Sequence, residues 1–132
     1  MGGEYELQAL SVPESIEDLH ELIARAGRDH PDVNRDDLMM LETAVIEIVG
    51  NVVEHALPLG RVTYRCRLEV LDDALRVHLI DRGLGIVPWP PTEPDPLAES
   101  GRGLHLARAL VHKLEYERIG DENRWVVERR RT

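Results

Sequence analysis

Between Asp36 and Leu57 the residues Leu38, Leu41, Val45, Ile48, Val52 and Ala56 recur at steps of three and four. That period lines them along one face of an α-helix. At about 1.5 Å per residue such a helix is roughly 30 Å long. Its apolar face has to be covered by a second layer of structure. It is the longest periodic stretch in the chain, so the rest of the fold has to be built around it.

The remaining segments read as strands and shorter helices. Glu4–Val12 (EYELQALSV) has the β-type composition of a first strand. Pro13 suits the first turn of a helix, and Ile16, Leu19, Leu22 and Ile23 carry its stripe to about Ala26. Gly27–Asn34 is a break, with Asn34 available to cap the long helix. Pro58-Leu59-Gly60 ends that helix. Val62–Leu71 and Ala74–Ile80, separated by Asp72-Asp73, predict a hairpin. Five prolines in the nine residues from Pro88 to Pro96 exclude a helix or an inner strand, leaving a long loop. Leu104, Ala107, Leu110, Val111 and Leu114 predict a third helix. Leu114–Ile119 and Trp125–Arg129 read as two closing strands around a polar turn, Gly120–Asn123.

The order β-α-α-β-β-loop-α-β-β predicts an α/β fold: a two-layer sandwich with one mixed, mostly antiparallel sheet and helices on one face. At 132 residues and 42% hydrophobic content the chain matches one domain, residues 1–132, with a core of its own. No apolar run approaches the roughly 18 residues of a membrane span. The start, MGGEYELQAL, lacks the basic and apolar regions of an export signal, so a cytoplasmic location is expected. The single Cys66 fits a reducing compartment. Residues 1–60 hold 13 acidic and 3 basic residues, and residues 61–132 hold 12 and 13. A net charge of −9 argues against direct nucleic-acid binding, which needs clustered positive charge. The acidic half is either a solvated helical face or a surface for a basic partner segment.

Three groups of residues carry possible chemistry. On the long helix, Glu47 and Asn51 are four apart and share a face within the apolar run TAVIEIVGNVV, with His55 continuing the line. Polar groups in such a run are costly to bury without partners. Next, the hairpin ends at Asp81, followed by Gly83 and Gly85. A carboxylate at a strand end can accept from a ligand amine, and glycines let a flat group approach; an ordinary turn has the same residues. Third, Gly101-Arg102-Gly103-Leu104 opens a helix, where free backbone N–H groups suit a phosphate. Neither a P-loop nor a dinucleotide fingerprint fits these spacings. The other histidines show no zinc spacing.

Taken in order, these motifs resemble those of the GHKL superfamily of ATP-binding domains, shared by gyrase, Hsp90, histidine kinases and MutL. At this length the chain looks like the bacterial anti-sigma-factor serine/threonine kinases. EIVGNVVEHA is similar to the family's N box, DRGLGI to its first glycine box and ESGRGLHLARALVHKLEYER to its second. The resemblance spans about residues 5–129 and implies the Bergerat-type ATP-binding fold. It implies Glu47 as general base and Asn51 as a ligand of Mg²⁺. It implies Asp81 as the acceptor for the adenine amine, with Gly83 and Gly85 lining that pocket. It implies a lid at about 87–100, and Gly101, Arg102, Gly103 and Leu104 around the phosphates of ATP. Its partners would be a sigma factor and a STAS-domain anti-sigma antagonist that receives the phosphate, and the chain would form a homodimer. Two other readings stay open: a non-catalytic ATP-binding module that switches protein contacts, and a detached catalytic domain serving a histidine on a partner. One departure stands out. Many relatives have a Gly-Thr pair entering the last strand, where Thr helps hold the adenine-binding Asp; here the segment is GDENRWVV, which has no Thr, and Asn123 or Arg124 sits nearby.

Overall fold

A computed structural model describes residues 2–56, 62–83 and 102–132. Five strands and three helices follow in the order β1 (Gly3–Leu10), α1 (Ser15–Asp29), α2 (Arg35–Ala56), β2 (Thr63–Val70), β3 (Ala74–Asp81), α3 (Arg102–Leu110), β4 (Lys113–Ile119) and β5 (Glu122–Arg130). The strands form one open sheet in the order β1-β2-β3-β5-β4, and all four ladders are antiparallel. The expected two-layer α/β sandwich is the architecture found. The parallel pairing that a mixed sheet would hold is absent among the described residues.

The alternation along each strand separates two faces. On β3, Leu75, Val77, Leu79 and Asp81 are buried. Their ladder partners Trp125 and Val127 on β5, and Cys66 and Leu68 on β2, are buried with them. This face meets the apolar stripe of α2, whose Leu41, Ala44, Val45, Ile48 and Val49 have no solvent exposure. Leu19, Leu22, Ile23 and Ala26 of α1 and Leu104 and Ala107 of α3 complete the core. Burying each such side chain favours folding by about 1.5–3 kcal/mol. The opposite face carries charged residues in cross-strand pairs, including Arg76–Glu128 at 2.6 Å and His78–Glu69 at 2.7 Å.

Element ends differ from the sequence reading where tertiary contacts override local signals. α1 continues through Gly27 to Asp29, because α2 crosses there: a Cβ at Gly27 would stand 2.8 Å from Leu38 Cδ2. α3 stops at Leu110, and Leu114 belongs to β4 opposite Val127. β5 begins at Glu122, not Trp125. Ile119 pairs with Glu122 across a tight turn in which Gly120 has φ +61°, a conformation glycine adopts without strain. Asn123 and Arg124 therefore lie in the strand. Asn34 does cap α2, its Oδ1 accepting the Asp36 N–H at 2.7 Å. No described helix is long and apolar enough to cross a membrane.

Candidate functional site

The position of α2 over the sheet is fixed at its first turn. Asp37 is buried, and its carboxylate accepts from Arg129 Nε at 2.9 Å and from the Thr132 N–H and hydroxyl at 2.8 Å each. Burial alone would raise the Asp37 pKa, but the Thr132 bonds and the Arg129 guanidinium outweigh it and hold it below the ordinary carboxylate value. Arg129 also donates to the Leu110 carbonyl at the end of α3, at 2.6 Å. Arg129 lies at the far end of β5, so α2 runs back along that strand and packs on β3 and β5. Fourteen residues of helix from Asp37 to Asn51 advance about 21 Å. Six residues of strand from Arg129 to Asn123 cover about 20 Å. Asn51 and Asn123 thus both lie toward the ends of α2 and β5 remote from the Asp37–Arg129 anchor, and Asp81 is the ladder partner of Asn123.

Glu47 and Asn51 are both half-buried. Asn51 Nδ2 donates to the Glu47 carbonyl at 2.9 Å, and its Oδ1, an acceptor, has no partner among the described residues. Glu47 has no ion pair among the described residues. Gly103, in the first turn of α3, abuts it: a Cβ there would overlap Glu47 Oε2 and stand 3.3 Å from its Cδ. The first and third motifs thus meet directly. The first-turn N–H groups of α3 have no partner within the helix. The Leu104 side chain is buried in the core, so only its backbone is left to face a ligand. Arg102 opens α3, and its side chain lies outside the described set. Gly85, Gly101 and the lid at 87–100 lie outside it as well.

Asp81 forms a second polar group on the same face of the sheet. Its Oδ1 accepts from the Gly83 N–H at 2.8 Å and from Asn123 Nδ2 at 2.9 Å. Its Oδ2 accepts from Trp125 Nε1 at 3.3 Å. Asn123 Nδ2 also reaches the Gly83 carbonyl at 3.1 Å. Asn123 Oδ1 accepts from the Tyr116 hydroxyl at 2.5 Å and from Arg118 at 2.9 Å. Arg118 bonds the Gly83 carbonyl too, at 2.9 Å. A Cβ at Gly83 would crowd Asp81 Oδ1 at 3.1 Å, so glycine permits this close return of the chain. On the other side of Asp81 in the register, Tyr64 donates to Ser15 Oγ at 2.7 Å, and burial pushes its hydroxyl pKa up.

Tyr116, Arg118 and Trp125 are members of this network that the motif pattern does not reveal. Among the described residues no hydrogen bond joins the Asp81 group to Glu47 or Asn51; Asp81 lies on the face of the sheet that α2 covers. A concavity of about 800 Å³ lies along Arg65, His78, Ile80, Arg124 and Val126, with Tyr116 and Trp125 of the Asp81 network also in its lining; neither Glu47 nor Asn51 borders it. Among the described residues no cluster of three or more His, Cys, Asp or Glu could hold a metal. What fits a divalent cation is the Asn51 Oδ1, which has no hydrogen-bond partner among the described residues. That suits Mg²⁺, which keeps waters and takes most of its other oxygens from a phosphate ligand.

No curated protein matches the chain in sequence. A crystal structure of the RsbU and RsbW domains of Rv1364c from Mycobacterium tuberculosis shares its fold, with a TM-score of 0.65 at 19% identity. The match covers 98% of this chain, which spans 32% of that one. The family profile described as the histidine kinase-like ATPase domain matches residues 10–129. The chain therefore belongs to the histidine kinase-like ATPase domain family.

Proposed function

We propose that the chain is a Mg²⁺·ATP-dependent anti-sigma-factor protein serine/threonine kinase. It binds a sigma factor and phosphorylates a STAS-domain antagonist, working in the cytoplasm as a homodimer. The family supports ATP as the nucleotide, and the shared fold with RsbU and RsbW domains supports a role in partner switching. The observation that carries the catalytic reading is the Glu47 carboxylate, without an ion pair among the described residues, against Gly103, where the helix and the glycine-rich turn meet.

In this reading Asp81 accepts from the adenine amine and the α3 amides face the phosphates. Glu47 takes the proton of an acceptor hydroxyl as its oxygen attacks the γ-phosphorus, the bond to the bridging oxygen breaks, and ADP leaves. Asn51 Oδ1 would hold Mg²⁺, which neutralises phosphate oxygens when bound. Arg102 adds positive charge at the same end.

The test is transfer of labelled phosphate from ATP to candidate STAS-domain proteins, with Glu47→Ala beside the parent. Acid-stable label on the antagonist, lost in Glu47→Ala while nucleotide binding remains, is the expected result. Acid-labile label would point to a histidine acceptor. Binding without transfer in the parent would leave the non-catalytic switch as the function.

A further inference from the structure

The Asp81 carboxylate has one oxygen filled and one in reserve. Oδ1 carries two close donors, the Gly83 N–H at 2.8 Å and Asn123 Nδ2 at 2.9 Å. A carboxylate oxygen has two lone pairs in its plane, so Oδ1 has no room for a third donor of good geometry. Among the described residues Oδ2 holds only the longer bond from Trp125 Nε1, at 3.3 Å. A ligand approaching Asp81 therefore finds a single available acceptor.

The Asn123 amide cannot turn over to release Oδ1. Its Oδ1 receives two donors, Tyr116 and Arg118, while its Nδ2 serves two acceptors, Asp81 and the Gly83 carbonyl. A flip would set Nδ2 against the Arg118 donor and Oδ1 against two acceptors; of the four partners only the Tyr116 hydroxyl could reverse its role. Arg118, which bonds both Asn123 and the Gly83 carbonyl, braces the arrangement.

Purine bases differ in how many donors they bring. The amine edge of adenine offers one N–H toward a carboxylate, beside the acceptor N1. Guanine offers N1–H and the 2-amino N–H side by side, a pair that an unencumbered carboxylate takes with both oxygens. We propose that Asn123 is a specificity-determining residue: by filling Asp81 Oδ1 it leaves one acceptor, which suits adenine and denies guanine its two-point contact. This rests on Asp81 being the base-binding residue of the proposed ATP site. Asn123 touches Asp81 and not the ligand, so it acts as a positioning residue.

Calorimetric titration of the intact chain with Mg²⁺·ATP and Mg²⁺·GTP tests it. The informative variant is Asn123→Leu, which keeps the branched shape and removes the donor; Arg118→Met removes the brace instead. The parent should prefer ATP, and Asn123→Leu should cut the ATP-to-GTP affinity ratio by about tenfold or more. Part of that change should be a gain for GTP, which a merely structural loss cannot produce. Arg118→Met should move the ratio in the same direction by less, and it serves as the test if Asn123→Leu does not fold. A folded Asn123→Leu or Arg118→Met with the parent's ratio, or with equal losses for both nucleotides, overturns the role of Asn123. A parent that binds neither nucleotide overturns the ATP reading itself.

Discussion

Gly103 stands so close to Glu47 that any side chain at position 103 would meet the carboxylate. The obstructed atom is the far end of a flexible side chain, while Glu47 Cβ would remain 3.6 Å from the new methyl. Gly103→Ala should therefore be accommodated by swinging the carboxylate aside. Helix propensity favours the change by up to about 1 kcal/mol. The expected outcome is a split: a melting temperature equal to or above the parent's, with phosphoryl transfer reduced by about tenfold or more. Thermal melts beside the labelled-phosphate assay check it. Unimpaired transfer would remove Glu47 from the reaction.

Asn51 Nδ2 is tied to the Glu47 carbonyl, and Oδ1 has no partner among the described residues. If that oxygen ligates Mg²⁺, Asn51→Ala should abolish the Mg²⁺ dependence of ATP affinity while leaving the metal-free affinity nearly unchanged. Asn51→Asp keeps an oxygen at the position and should retain Mg²⁺ dependence. Titrations with and without EDTA distinguish these outcomes, and a parent-like Mg²⁺ response in Asn51→Ala would place the cation elsewhere.

The elements themselves were legible in the sequence because their periods are clean. The α2 stripe and the β2–β3 hairpin match the structure to within one or two residues. What was not legible depends on long-range contacts. Gly27 looks like a helix breaker, yet it is the contact that lets Leu38 of α2 approach α1. Glu122, Asn123 and Arg124 have the composition of a turn, yet β5 pairs through all three. Asn123 is held in the strand by hydrogen bonds that include those to Asp81 on β3, Tyr116 and Arg118 on β4, and Gly83 just after Asp81. Its place beside Asp81 follows from register, which a single sequence does not specify. The motif residues Glu47, Asn51, Asp81 and Gly103 were legible as a set, since their order along the chain is distinctive. Their grouping is not: Glu47 touches Gly103, while Asp81 is bound into a separate network.

The anchor between Asp37 and the C-terminal residues predicts an acid-sensitive stability. The Asp37 pKa is lowered in the folded state, so its contribution is fully present above the unfolded carboxylate value, near pH 4. It is lost as the pH falls through the lower, folded value. Asp37→Asn removes the charge but leaves Arg129 buried, with its side chain 15% exposed. Breaking such a pair should cost about 3 kcal/mol, or roughly 10 °C in melting temperature at neutral pH. The gap between parent and variant should narrow as the pH drops below 4. Melts from pH 3 to pH 7 check this, and a gap that stays constant would show that Asp37 does not titrate with folding.

Cys66 offers a way to watch the fold open. It lies mid-strand on β2, is 2% exposed, and burial pushes its thiol up to about 12. That disfavours the thiolate, the form that reacts. It is the only cysteine in the chain, so a disulfide reagent reads it without interference. In the native protein modification should be slower by several orders of magnitude than in denaturant, where one thiol per chain should react at once. Since the residue sits in the core beside Leu68 and Leu79, its reaction requires that β2 and β3 separate from the helices. A ligand that binds only the folded state makes such opening rarer in proportion to its saturation. Saturating Mg²⁺·ATP should therefore slow the modification further. A native-state rate equal to that of the unfolded chain would contradict the buried placement, and a rate indifferent to ATP would count against nucleotide binding to this fold.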